Sequence, residues 1–141
     1  KRLILRNPKA TRPWQHVLEP LSGYLLVGHK LINKQLKNNV LPSWNFGPKT
    51  INCKNVEFIT KMILNNWKKP NFKFSIEDKK NYHESKFLSL NIGKAKKELN
   101  WEPRLNLVET FELTVDWYKF YFEKKKIEQL TNQQIEFFLK K

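Results

Sequence analysis

Arginine is concentrated in one short segment of a chain that otherwise relies on lysine for positive charge. Only four of the 27 Lys and Arg residues are arginine, and two of them, Arg6 and Arg12, lie close together near the N-terminus. A guanidinium is a planar fork that donates two parallel hydrogen bonds to a phosphate or a carboxylate, and an ammonium group lacks that geometry. The segment therefore predicts a site for an anionic group.

Short motifs along the chain resemble one enzyme family. Arg6-Asn7-Pro8, followed by the run from Arg12 to Leu25 (RPWQHVLEPLSGYL), is similar to the corresponding segment of CDP-glucose 4,6-dehydratases. Weaker matches follow in the same order at 44–48, 83–84, 94–95, 99–103, 114–118 and 134–135. These are NAD-dependent nucleotide-sugar enzymes of the extended short-chain dehydrogenase/reductase group. The resemblance implies a nucleotide-diphosphate sugar as substrate and NAD as cofactor.

Two features of that family have no counterpart in this sequence. None of the four glycines forms the Gly-rich fingerprint of a dinucleotide site. Tyr82-x-x-x-Lys86 and Tyr121-x-x-x-Lys125 match the spacing of the catalytic pair, but neither is expected on a helix beside a nicotinamide. We therefore expect residues 1–141 to be a C-terminal substrate-binding portion that has no catalytic residues. NAD would bind to an N-terminal half outside this chain, and the chain alone would be inactive.

The two arginines have alternative interpretations. By resemblance, Arg12 meets the diphosphate of the substrate, and this is the interpretation we favour; the other is a surface ion pair with Glu19. Arg6 follows a predicted strand and could either assist at the diphosphate or bind a loop carbonyl. The sequence leaves the role of Arg6 open.

Three further residues are candidates for substrate binding. Trp14 could stack against a base or sugar, or fill the boundary of the lobe. His16 could contact substrate, although a histidine at the start of a helix is more often a structural hydrogen-bond partner. Glu84 would accept from ribose hydroxyls by resemblance, or remain a solvated charge. The three histidines and Cys53 have no metal-ligand spacing, and we expect no metal site.

Hydrophobic periodicity predicts an α/β fold. By resemblance, this is the C-terminal part of an extended short-chain dehydrogenase/reductase: the last Rossmann strand region at 43–48 and a small α/β substrate-binding lobe. The predicted strands are 3–5, 43–46, 72–76 and 87–90. The predicted helices run from Glu19 to Asn38, from 56 to 67, from Asn91 to Leu99, from a capping box at Asn106 to Phe122, and from a second box at Thr131 to Lys140.

The net charge of +14 leaves a second class of function open. A high positive charge is typical of a basic domain that binds nucleic acid or another acidic partner. Here, however, the excess of basic residues is lysine spread over the chain, and no nucleic-acid-binding motif is present. We therefore expect no nucleic-acid partner. The sequence has no apolar run of membrane-spanning length, and its single cysteine is typical of a reducing compartment. We therefore expect a cytoplasmic enzyme, and by resemblance we expect it to form homo-oligomers.

Overall fold

The computed structural model describes residues 3–36, 43–69, 71–76 and 85–141. Short strands alternate with longer helices, as the α/β prediction requires. The strands are β1 (Leu3–Leu5), β2 (Thr11–Pro13), β3 (Cys53–Asn55) and β4 (Phe74–Ile76), and the helices are α1 (Leu18–Ile32), α2 (Val56–Asn66), α3 (Gly93–Leu99), α4 (Leu107–Phe122) and α5 (Ile127–Leu139). A 3₁₀ turn at Thr50–Asn52 leads into β3.

The strands form two separate pairs in the described residues. β1 runs parallel to β4, with Leu3 opposite Phe74. β2 runs antiparallel to β3, with Arg12 opposite Lys54. The predicted strand at 72–76 is present but begins only at Phe74. The sequence did not predict β2 and β3, because Thr11–Pro13 and Cys53–Asn55 have neither the apolar run of β1 nor enough residues for alternation to be recognised.

One core lies under the inner face of α1. Gly23 is buried there, and a Cβ at this position would lie 2.4 Å from a ring carbon of Phe46. The Phe46 ring in turn contacts the edge of Trp101, with centroids 4.9 Å apart. Ala95 and Leu99 of α3 complete this buried cluster. The absence of a side chain at Gly23 therefore lets the segment that contains Phe46 reach the helix.

Helix α4 begins as the sequence predicts. The Asn106 side chain accepts from the Glu109 N–H at 3.0 Å, and the Glu109 carboxylate accepts from the Asn106 N–H at 2.9 Å. The second predicted capping box is wrong, because α5 already begins at Ile127. Thr131 lies inside α5, where its hydroxyl donates to the Ile127 carbonyl at 2.8 Å.

Helix α1 ends well before the predicted Asn38. Its last residue is Ile32, and Lys34 has a left-handed conformation with φ 53°. The Gln35 N–H then donates to the Lys30 carbonyl and the Lys34 N–H to the Leu31 carbonyl. This is a Schellman motif, which closes the helix regardless of the apolar residues that follow. Leu36 still packs against the core, but from outside the helix.

Two predicted strands differ from the structure. The predicted strand at 87–90 is reduced to one bridge between Phe87 and Thr11, so that prediction is wrong. Residues 43–48 have no strand partner among the described residues. Within that segment Phe46, Gly47 and Pro48 are nonetheless buried. Its pairing with a Rossmann sheet stays a prediction.

Candidate functional site

Arg12 lies on β2, a strand that the sequence did not predict. β2 has β3 on one side, and on the other side the Thr11 N–H donates to the Lys86 carbonyl while the Leu88 N–H donates to the Thr11 carbonyl. The backbone around Arg12 is therefore held between two neighbouring segments. A residue fixed in this way presents its side chain from a rigid base.

The guanidinium of Arg12 is fixed as well. Its Nη1 donates to the Thr11 carbonyl and to the Ser85 carbonyl, each at 2.9 Å. The expected alternative was an ion pair with Glu19. Glu19 instead is buried on α1 and accepts from the backbone N–H groups of Arg104 and Leu105. The Arg12 charge is thus positioned beside residue 85, at the end of the stretch 77–84 that the structure does not describe.

Trp14 is a half-buried packing residue in this chain. Its Nε1 donates to the Lys54 carbonyl of β3 at 2.8 Å, and its ring lies 6.2 Å from the Phe111 ring of α4. Gln15 next to it donates to the Phe46 carbonyl at 2.9 Å. These contacts tie the end of β2 to α4 and to the α1 core.

His16 is buried at the start of α1. Its Nδ1 accepts from the Leu18 N–H at 3.3 Å, which is the structural role that the sequence analysis favoured. The proton of the neutral ring therefore lies on Nε2. Burial lowers the pKa of His16, so the neutral ring is the form favoured near neutral pH.

The remaining two candidates are Arg6 and Glu84. Arg6 is exposed just after β1. Glu84 lies outside the described residues, so the structure does not place it relative to Arg12. Among the described candidates, Arg12 lies beside residue 85, whereas His16 faces helices α4 and α5.

A cavity of about 440 Å³ lies where His16 meets these two helices. It is lined by Gln15, His16, Val17, Leu18, Thr114, Trp117, Tyr118, Thr131, Gln134 and Ile135. The sequence did not predict this cavity, because its walls come from three segments that meet only in the folded chain. Of its two aromatic residues, Trp117 is half-buried and Tyr118 is 47% exposed.

The glycines of this chain do not form a dinucleotide site. Gly23 meets Phe46, Gly47 meets Leu90, and Gly28 lies within α1 with no atom within 4 Å of a Cβ position. No strand of the described residues leads through a Gly-rich turn into a helix N-terminus, the arrangement that cradles a pyrophosphate. These residues therefore do not fit NAD. In the same residues no group of His, Cys, Asp and Glu could hold a metal ion, and no helix is long and apolar enough to cross a membrane.

The fold is that of part of a nucleotide-sugar epimerase. The chain superposes on UDP-glucose 4-epimerase from Thermotoga maritima, solved with UDP-glucose, with a TM-score of 0.68 and 17% identity; the match covers 86% of this chain and 36% of the epimerase. UDP-N-acetylglucosamine 4-epimerase from Bacillus cereus gives a TM-score of 0.60 at 15% identity, over 82% of this chain and 37% of that enzyme. The predicted fold class, part of an extended short-chain dehydrogenase/reductase, is confirmed.

The sequence comparison agrees with this fold. The chain is 40% identical over 119 residues to CDP-glucose 4,6-dehydratase of Salmonella typhimurium strain LT2, which covers 84% of this chain. The match spans 32% of the length of that relative. No protein-family model matches the chain. The predicted resemblance is thus confirmed: the chain is related in sequence to a nucleotide-sugar dehydratase and in fold to nucleotide-sugar epimerases.

Proposed function

We propose that this chain is the nucleotide-sugar recognition part of a CDP-glucose 4,6-dehydratase. The observation that carries the proposal is the 40% identity to the Salmonella enzyme. In such an enzyme bound NAD would supply the hydride transfer, from another part of the protein. The residues of this chain would bind and orient the substrate. Arg12 is the residue that we assign to the diphosphate.

The position of Arg12 supports this assignment. The guanidinium is anchored by two carbonyl oxygens and sits on a strand that is bonded on both sides. A charge held in advance loses little side-chain entropy when an anion arrives, and that favours affinity. Trp14 and Arg6 would support the same region, and Glu84 would accept from ribose hydroxyls. His16 would act indirectly, by holding the first turn of α1.

We also propose that an N-terminal NAD-binding half accompanies these residues. Two features of the chain support it. The segment 43–48 is partly buried but has no strand partner among the described residues. The outer face of α1 also exposes Tyr24, Leu25 and Ile32. A neighbouring sheet would pair with the segment 43–48 and would cover the exposed apolar residues of α1.

The assignment of Arg12 is tested by substitution in the full-length enzyme. Arg12→Lys keeps the charge but loses the fork, so CDP-glucose affinity should fall by roughly 1 to 2 kcal/mol. Arg12→Ala should cost on the order of 2 to 3 kcal/mol, because the diphosphate loses a charged partner. NAD affinity should remain unchanged. Calorimetric titration of each ligand measures both effects.

Arg104→Lys is the matched control, because Arg104 packs against Phe138 and its Nη1 donates to the Phe138 carbonyl, away from Arg12. It should leave CDP-glucose affinity intact. Equal CDP-glucose binding by wild type and both Arg12 variants would make Arg12 a structural residue. If the chain instead binds oligonucleotides with an affinity that falls steeply with salt and ignores Arg12, the basic-domain function is the correct one.

A further inference from the structure

The cavity beside His16 differs chemically from the rest of the molecule. The chain has a net charge of +14, and 28% of its residues are charged. Ten residues line the cavity, and His16 is the only one of them that can become charged near neutral pH. Burial lowers the pKa of His16 and so favours its neutral form. A volume of about 440 Å³ is within the range of small-molecule sites. An uncharged lining does not attract the nucleotide diphosphate that we assign to Arg12.

Most of the hydrogen-bond donors in the lining already have acceptors within the protein. Thr114 donates to the Thr110 carbonyl and Thr131 to the Ile127 carbonyl. Trp117 Nε1 donates to the Thr131 hydroxyl, and Gln134 Nε2 donates to the Leu113 carbonyl. A sugar ring would bring several hydroxyl groups that need partners on desolvation. The donors named above already have protein acceptors, so the cavity suits a ligand with few polar atoms.

His16 supplies one donor to that cavity. Its Nδ1 is occupied by the Leu18 N–H, so Nε2 carries the proton. No other residue of the described chain accepts from Nε2, and the ring lines the cavity. The rest of the wall is largely apolar, with the aromatic rings of Trp117 and Tyr118 among its members. Aromatic walls favour a flat ring.

We propose that this cavity is a binding site for a small uncharged molecule that has a flat apolar ring and one hydrogen-bond acceptor. The ring would lie among Trp117, Tyr118 and Ile135, and the acceptor would take the Nε2 proton of His16. The site shares no residue with Arg12 or its hydrogen-bond partners. It is therefore separate from the proposed diphosphate contact, and the inference does not depend on the proposed function.

Three probes separate this proposal from its alternatives. Benzamide has the ring and the acceptor, toluene lacks the acceptor, and benzoate has nearly the same shape but a negative charge. Binding to the 141-residue chain is measured by ligand-detected NMR and by competition between the probes. We expect benzamide to bind more tightly than toluene, and benzoate to bind least despite the basic chain. A preference for benzoate would overturn the proposal, since it would reveal general attraction to positive charge.

Substitutions locate the binding in this cavity. Ile135→Trp should fill it and reduce benzamide affinity by more than about tenfold, whereas Leu139→Trp on the same helix, 66% exposed and outside the lining, should not. His16→Phe should weaken benzamide about fivefold, the factor that one neutral hydrogen bond supports, and leave toluene unchanged. Circular dichroism checks that each variant is folded. Equal benzamide binding by wild type, Ile135→Trp and His16→Phe would refute the site.

Discussion

At the residue scale, Glu19 connects the start of α1 to the segment before α4. Its side chain is 1% exposed, and Oε1 accepts from the Arg104 N–H at 2.8 Å and from the Leu105 N–H at 2.6 Å. Oε2 is buried without a hydrogen-bond partner. Burial raises the pKa of Glu19, although the two backbone donors and the charge of Arg104 oppose this. In the protonated form of Glu19, the proton would lie on Oε2, so that Oε1 would remain the acceptor of both hydrogen bonds.

Removing the Glu19 carboxyl group should destabilise the chain strongly. Glu19→Ala leaves two backbone N–H groups without an acceptor, which we expect to cost about 3 kcal/mol of the free energy of unfolding. Glu19→Gln keeps a carbonyl oxygen in place and should cost about 1 kcal/mol or less. Urea unfolding near neutral pH measures both. Equal costs for the two variants would contradict this role of Oε1.

The raised pKa of Glu19 also predicts a pH dependence. Because the folded pKa lies above the ordinary value of 4.5, the folded chain holds this proton more tightly than the unfolded chain. The resulting stability is fully present below pH 4.5 and is lost as pH rises through the folded pKa. Wild type should therefore gain stability relative to Glu19→Gln as pH falls through that window. A difference independent of pH would mean that the folded pKa is not raised.

At the scale of elements, three helices end on a lysine in the left-handed conformation. Lys34, Lys68 and Lys124 have φ of 53°, 58° and 54° and follow α1, α2 and α4. Each position allows two backbone hydrogen bonds that close its helix, as in the pair from Lys124 to the Tyr121 carbonyl and from Lys125 to the Phe120 carbonyl. Glycine is the usual residue there, because a Cβ makes this conformation unfavourable.

Lys124→Gly should therefore stabilise the chain. Relief of the left-handed strain exceeds the extra entropy of glycine in the unfolded chain, for a net gain of about 0.5 to 1 kcal/mol. Lys124→Ala is the matched control, because alanine also lacks the charge but keeps a Cβ, and should give no gain. Thermal unfolding of the three proteins measures the difference. An equal gain for alanine would assign the effect to the charge and not to the backbone.

At the scale of the whole molecule, one side of α1 exposes an apolar stripe. Leu21, Tyr24, Leu25, Leu31 and Ile32 are all exposed, with Leu25 at 75% and Ile32 at 83%. Their spacing puts them on one face of the helix, opposite Glu19 and Gly23. An exposed apolar face of this kind marks an interaction surface.

The isolated 141-residue chain should therefore self-associate through this stripe. The double variant Leu25→Lys, Ile32→Lys should be monomeric, because two ammonium groups oppose burial of the stripe. Leu139→Lys on α5 changes an equally apolar exposed residue elsewhere and should leave association unchanged. Sedimentation velocity over a range of concentrations measures this. A wild-type chain that remains monomeric at high concentration would contradict the prediction.

The sequence by itself determined the features that depend on local pattern. The α/β class, the capping box at Asn106 and the resemblance carried by residues 12–25 follow from residue order and short spacing, because neighbours in the chain make those interactions. The tertiary structure decided what depends on contacts between distant segments. It set Arg12 on a strand beside Ser85 and joined Glu19 to Leu105. It also formed an open cavity that no single segment outlines, since its walls meet only when α4 and α5 pack against the start of α1.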